Sequence, residues 1–385
     1  MDLKDYEKAL NNCTHLSVIF QLTDKCVLKC RYCFARGAHK GVDKISPELL
    51  EKVISQAFLT RHPNVTFEWT GGEALLMGLD FFKEVVALQK KFASKPFCNC
   101  LQTSGYLFDK ELIDYLIDNG FSISLTIDGP KEVHNGNRPT QSGADSFDRV
   151  LKTREYIAKR VGECGFISTV TRNNLGHEKE TLTFFRELGI HSFHSNPYIF
   201  FDKNVVKDQS LAIDNNDYAR YFISQFNSWY DSGKLEPIPL TVNYFISCLS
   251  AKKPSNYTLC TFGGRCLTNF IAVTPSGDCY NCPKFSGHSN MLLGNLYEKN
   301  IPQLLDPDSN PMMRNLISQR VQSIQRCKES KCRFEFICNS GCPYLSYISS
   351  NGENISDRDY LCEGKTQVFE YLESIRNVII EDSIK

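Results

Sequence analysis

Through its first 240 residues the chain swings between short apolar runs and amphipathic helices, and this rhythm restricts the fold more than any other feature. LSVIFQL (Leu16–Leu22) predicts a strand. SPELLEKVISQAFL predicts a helix, with Ser46 as N-cap and Pro47 at the first helical position. VTFEW (Val65–Trp69), FCNCLQT, FSISLTI, CGFISTV and HSFHSN continue the strand series. Between them fall helices over FFKEVVALQKKFA, over DKELIDYLIDNG (closed by Gly120), from about Ser146, and over KETLTFFRELG (closed by Gly189). Six such alternations predict parallel strands joined by right-handed crossovers, that is, an α/β open barrel or sheet. From about residue 240 the chain turns loop-rich and cysteine-rich. FIAVTPSGDCYNC predicts a hairpin turning at Pro275–Gly277, and an amphipathic helix from about Lys365 to Glu381 closes the chain. The proline-bearing stretch 235–258 holds the expected boundary, giving domains 1–240 and 241–385.

Lys+Arg and Asp+Glu both total 44, so no basic face is advertised and nucleic acid is not the expected partner. No apolar run approaches the roughly 20 residues of a membrane span, and MDLKDYEKALNN lacks the layout of a signal peptide. A cytoplasmic protein is expected. In that setting 17 cysteines are unlike structural disulfides and point to metal or catalysis. Three stand at 26, 30 and 33, and nine crowd between 260 and 362. The scattered five, at 13, 98, 100, 164 and 248, read as small packed hydrophobes.

Cys26, Cys30 and Cys33 follow the first strand, which places them at the C-terminal mouth of a parallel sheet, where such folds put active sites. Three thiolates from one loop can hold three irons of a 4Fe–4S cluster and leave the fourth for a small molecule. Zinc would want a fourth protein ligand or a water, and spacing alone leaves zinc or chance open. The C-x3-C-x2-C loop, with Tyr32 before its third cysteine, resembles the radical S-adenosylmethionine (SAM) enzymes. WTGGEALL after the second strand resembles that family's GGE motif. Alone it would pass for an ordinary turn. The resemblance implies SAM contacts at Gly71, Gly72 and Glu73, with Tyr32 near the adenine. LQTSG closes the third strand and adds Ser104. LTIDGPKEVHNGNRP closes the fourth and resembles a segment of the peptide-modifying branch, which implies SAM contacts for Thr126 and Arg138. His134 and Arg138 fit a bracing role in that loop equally well. The implied fold is a partial (β/α)6 TIM-type barrel.

The tail reads Cys260-x5-Cys266-x10-Gly277-x4-Cys282, then Cys327-x4-Cys332-x5-Cys338-x3-Cys342, then Cys362. This resembles the SPASM extension of peptide- and sulfatase-maturing radical SAM enzymes, apart from x4 where x2 is usual. Sulfatase maturases carry an additional cysteine like Cys260. Resemblance to them implies two auxiliary 4Fe–4S clusters, one on Cys260, Cys266, Cys282 and Cys342 and the other on Cys327, Cys332, Cys338 and Cys362. Were Cys260 not a ligand, the first would have an open iron. Cys279 fits no slot and reads as a packed hairpin residue or a substitute for a neighbour. A zinc-ribbon-like staple is the bland alternative for the tail.

Enzymes of this kind mostly act on peptides or proteins. Sulfatase maturases place an aspartate directly after the cysteine of G-x4-C, proposed as a base. Here Pro283 stands there, and proline does no acid–base work. The expectation is therefore maturation of a ribosomally made precursor peptide by an oxidative carbon–carbon or thioether cross-link. Formylglycine formation in a sulfatase and a plain iron–sulfur redox carrier are the alternatives. The implied partners are the peptide and a flavodoxin- or ferredoxin-type reductant; with 25 residues before Cys26, leader recognition is expected to fall to the barrel, the tail or a separate leader-binding protein.

Overall fold

The computed structural model describes residues 14–35, 42–200, 208–235, 237–251, 259–262 and 266–375. Cys13 and the expected end of the last helix beyond residue 375 lie outside the described residues. The expected barrel is present. Its strands are β1 (His15–Gln21), β2 (Asn64–Thr70), β3 (Phe97–Thr103), β4 (Phe121–Thr126), β5 (Gly165–Val170) and β6 (Ser192–Pro197). Each pairs in parallel with the next. Between them run α1 (Pro47–Ala57), α2 (Gly78–Phe92), α3 (Lys110–Asp118), α4 (Lys131–Asn137), α5 (Phe147–Val161) and α6 (Glu178–Glu187). Ser46 caps α1 by accepting the Leu49 N–H at 3.1 Å, as its side chain and Pro47 lead one to expect.

Strand parity sorts the residues. Leu16, Val18 and Phe20 of β1 and Val65, Phe67 and Trp69 of β2 are buried beneath the helices. The Trp69 indole stacks on Phe20 at 4.4 Å between centroids. Their alternates face the lumen, a period-two consequence of the extended backbone. The lumen side carries most of the polar strand residues, among them Gln21, Glu68, Thr70, Gln102, Thr126, Thr169 and Asn196.

The chain continues through α7 (Asn215–Asp231), β7 (Ile238–Pro239), paired with β6, and α8 (Leu240–Ala251). The tail contains α9 (Cys266–Asn269), β8 (Phe270–Val273), β9 (Asp278–Tyr280), β10 (Gly294–Asn295), α10 (Ile301–Leu305), α11 (Pro311–Glu329), α12 (Glu335–Cys338), α13 (Pro343–Ser349) and α14 (Cys362–Ser374). The hairpin falls where expected, as β8 and β9. Its placement is new: β8 lies parallel to β1, from Ser17 opposite Phe270 to Phe20 opposite Val273. One sheet therefore runs β10-β9-β8-β1-β2-β3-β4-β5-β6-β7.

The tail is also more helical than its composition led one to expect. In α11, Asn310 caps the first turn, and Met313, Leu316, Ile317, Val321 and Ile324 bury one stripe. The final helix packs on α7, where Tyr371 donates to Asn227 at 2.6 Å. No helix of the described residues is long and apolar enough to cross a membrane.

Candidate active site at the barrel mouth

A cavity of about 290 Å³ opens at the C-terminal ends of the strands. Cys26, Cys30 and Cys33 line it, together with Tyr32, Gly71, Gly72, Ser104, Thr126 and Arg138. The tail contributes Lys284, Tyr344 and Leu345.

The cysteine loop is tied down by backbone bonds. The Lys29 N–H donates to the Pro139 carbonyl at 2.7 Å and the Arg31 N–H to Asn137 at 3.0 Å. The Gln141 amide donates to the Cys26 and Leu28 carbonyls at 3.0 and 2.9 Å. Nothing in the sequence singles out Gln141, because its partners are main-chain atoms more than a hundred residues away.

The two glycines are required by contact. Gly72 donates to the Thr23 carbonyl at 2.6 Å, and the Glu73 N–H donates to Lys25 at 2.9 Å. A Cβ on Gly72 would fall inside the Lys25 carbonyl, and one on Gly71 would lie 2.8 Å from the Thr23 oxygen. Gly71 also has φ +133°, which L side chains rarely adopt. The strand-two turn is thus flush against the backbone that carries Cys26.

Glu73 is 1 % exposed and stands behind the wall that Gly71 and Gly72 make. One carboxylate oxygen accepts from Thr103 Oγ1 at 2.6 Å and the Leu75 N–H at 3.2 Å. The other accepts from the Ser104 N–H at 3.0 Å and from the Ser104 hydroxyl. It joins the ends of β2 and β3.

Tyr32 donates to Asp128 at 2.9 Å and accepts from Arg138 Nη1 at 2.6 Å. Burial first, then Asp128, pushes the phenol well above its ordinary range, while Arg138 opposes them. Asp128 lies in the DGP stretch, is fully buried and also accepts the Thr169 N–H at 3.0 Å. Sequence reasoning missed it as a site residue, although its motif was in view. His134 is fully buried against Ser146 and does not line the cavity. Thr126 accepts from Gln102 at 3.0 Å on the lumen side.

The second tail quartet lines one cavity, and members of the first lie close enough to act on one another electrostatically. Cys327, Cys332, Cys338 and Cys362 line one small enclosed cavity of about 30 Å³. Cys266 is held well above the ordinary thiol range by burial and then by neighbouring Cys342, Cys260 and Cys282. Burial likewise lifts Cys30, Cys282 and Cys338 to about 12 and Cys26 to about 11. Bare thiols so placed would stay protonated, whereas iron would take them as thiolates. Among the described residues no three His, Cys, Asp or Glu side chains close on a single ion.

Asp359 lies between the quartets. It accepts the Cys342 and Leu361 N–H groups at 2.8 Å each and pairs with Lys365 at 2.7 Å, both side chains buried. Cys279 is buried in β9 and belongs to neither quartet. Cys164 and Cys248 are buried as expected, but Cys98 is exposed and Cys100 half-exposed. Both fall on the lumen side of β3, because Asn99 and Leu101 take the helix side.

Residues 20–185 match the radical SAM superfamily. A cysteine-type anaerobic sulfatase-maturating enzyme of Clostridium perfringens is 27% identical over 356 residues, covering 90% of this chain and 93% of that one. A serine-type anaerobic sulfatase-maturating enzyme of Bacteroides thetaiotaomicron is 28% identical over 374 residues, covering 90% and 86%. A solved structure described as native anSMEcpe with bound AdoMet superposes with TM-score 0.82 at 25% identity, covering 96% of this chain and all of that one. Streptococcus suis SuiB bound to precursor peptide SuiA shares the fold, with TM-score 0.66 at 17% identity, covering 94% and 79%. These findings overturn the expectation of a cross-linking peptide maturase. That expectation rests on Pro283 and on two implied clusters as electron acceptors, and these do not outweigh likeness to sulfatase-maturating enzymes along nine-tenths of the chain.

Proposed function

We propose that this chain, which carries a radical SAM domain, is an anaerobic sulfatase-maturating enzyme that oxidises a cysteine or serine side chain in a sulfatase segment to formylglycine. The observation that carries the reading is likeness to both types of sulfatase-maturating enzyme over 90% of the chain. Four tail cysteines around one cavity, and three more that act electrostatically on Cys266, support it. On this reading Cys26, Cys30 and Cys33 hold a 4Fe–4S cluster with one iron left for SAM. When bound and reduced there, SAM supplies a 5′-deoxyadenosyl radical, the hard step that a cofactor brings. Gly71 and Gly72 give SAM a flat backbone wall, braced from behind by Glu73. Ser104, Thr126, Tyr32 and Arg138 line the remainder. The quartets hold two auxiliary clusters, in a tail taken from residue 241 onward. A flavodoxin- or ferredoxin-type protein supplies the electron.

The test is incubation of the anaerobically reconstituted protein with SAM, reductant and a peptide carrying Cys or Ser in a C-x-P-x-R-type context. Mass spectrometry should find a carbonyl-reactive aldehyde at the target, with one 5′-deoxyadenosine per event. SAM cleavage with neither peptide changed would overturn the reading.

A further inference from the structure

Position 283 leaves a question: how does the substrate lose its proton where proline replaces an aspartate? The cavity answers with a cation. Among the described residues, Arg138 and Lys284 are the two cations on its lining. Arg138 is 5 % exposed and committed to Tyr32 and Asp128. Lys284 comes from the tail, next to Pro283, and is half-buried. Its ammonium stands 5.4 Å from the centre of the Tyr344 ring, across the tail side of the cavity. It is near enough to Cys260, Cys282 and His194 to be felt electrostatically by all three. It therefore sits between the reaction cavity and the first tail quartet. Asp24 is the carboxylate on the same lining.

We propose that Lys284 receives the substrate side chain as a thiolate, which makes this a cysteine-type and not a serine-type enzyme. The inference rests on the sulfatase-maturation reading. Both relative types match about equally, so the comparisons leave this choice open. A nearby cation favours the ionised form and lowers a thiol of about 8.5 by one to two units, enough for a large thiolate fraction near pH 7. An alcohol lies far beyond that reach. The proton goes to solvent before the radical step. A hydrogen atom then passes from the Cβ carbon to the 5′-deoxyadenosyl radical, forming 5′-deoxyadenosine. One further electron goes to an iron–sulfur cluster, the oxidant class this requires. Water adds to the resulting C=S carbon and hydrogen sulfide leaves, giving the aldehyde.

The experiment gives reconstituted holoenzyme two peptides that differ only in Cys or Ser at the target. Aldehyde from the Cys peptide alone is expected. Equal turnover of both, or of Ser alone, overturns the inference and leaves the broader reading standing, whereas turnover of neither overturns both. Lys284→Met should keep its iron and lose about tenfold in kcat/KM on the Cys peptide at pH 7. The deficit should close to within about twofold near pH 9, where a free thiol ionises unaided. Lys284→Arg should retain most activity. A pH-independent loss in Lys284→Met, or none, refutes the thiolate role. So does a pH-dependent loss that appears in Asp24→Asn instead.

Discussion

Replacing Glu73 by Gln tests whether this residue braces the cavity or touches the cofactor. Its carboxylate takes four donors, two at each oxygen, and one at each oxygen is a backbone N–H, from Leu75 or Ser104. An amide of the same size must turn its NH2 group toward one of them. That leaves one buried N–H without an acceptor, at about 1–3 kcal/mol. The bonds that survive lose their ionic character, so the total is about 2–4 kcal/mol. The loss falls on the junction of β2 and β3, one residue from the Gly71–Gly72 wall. SAM affinity should therefore drop tenfold or more, and the anaerobic melting temperature should fall with it. Iron content should stay intact, because no donor to Glu73 belongs to the cysteine loop. Equilibrium dialysis with labelled SAM, iron analysis and a melt measure the three quantities. Weakened SAM binding at an unchanged melting temperature would refute the brace and assign Glu73 a direct contact. No change in either would refute both roles.

Other perturbations have separate signatures. Cys26, Cys30 and Cys33 changed together to Ala should lower iron from about twelve to about eight per chain while the tail stays loaded. Gly72→Ala forces the Lys25 backbone aside, so it should cost about 1–3 kcal/mol and reduce SAM cleavage more than iron loading, read by melting and by 5′-deoxyadenosine yield. Lys365→Met leaves Asp359 as a buried anion with only its backbone donors, so it should destabilise by about 3–5 kcal/mol in anaerobic denaturant titration and release tail iron first. Wild-type stability in that variant would show that the pair is not buried in the folded protein.

The barrel was readable because its signals are local. The six strands alternate, and Ser46, Gly120 and Gly189 mark where helices begin or end. The cysteine loop and the GGE turn were equally plain, being short motifs at strand ends. What escaped depends on distance. The pairing of β8 with β1 joins residues about 250 apart, and a four-residue apolar run states no partner. The α11 stripe could have been found from its spacing, but the surrounding cysteines drew the segment into a loop reading. Cys98 and Cys100 illustrate parity: an i, i+2 pair is obvious, yet which face it takes is settled only by the helices that cover the other. Pro283 shows the reverse error, one striking residue weighed above a likeness spread along the chain. Lys284, its neighbour, has no sequence signal beyond its position, since only folding brings it to the cavity beside Tyr344.

The ladder between β1 and β8 has a kinetic consequence. The loop with Cys26, Cys30 and Cys33 leaves the end of β1, and Cys282 follows β9, the antiparallel neighbour of β8. On the proposed reading, the clusters held by the cysteine loop and by the first quartet would both hang from strands of one hydrogen-bonded ribbon. The pairing of those strands resists a change in their separation, so a hinge between them is not expected to meter the current. An internal electron hop of this kind should keep its rate in glycerol or sucrose, where enzymes that swing a redox module across a linker slow in proportion to viscosity.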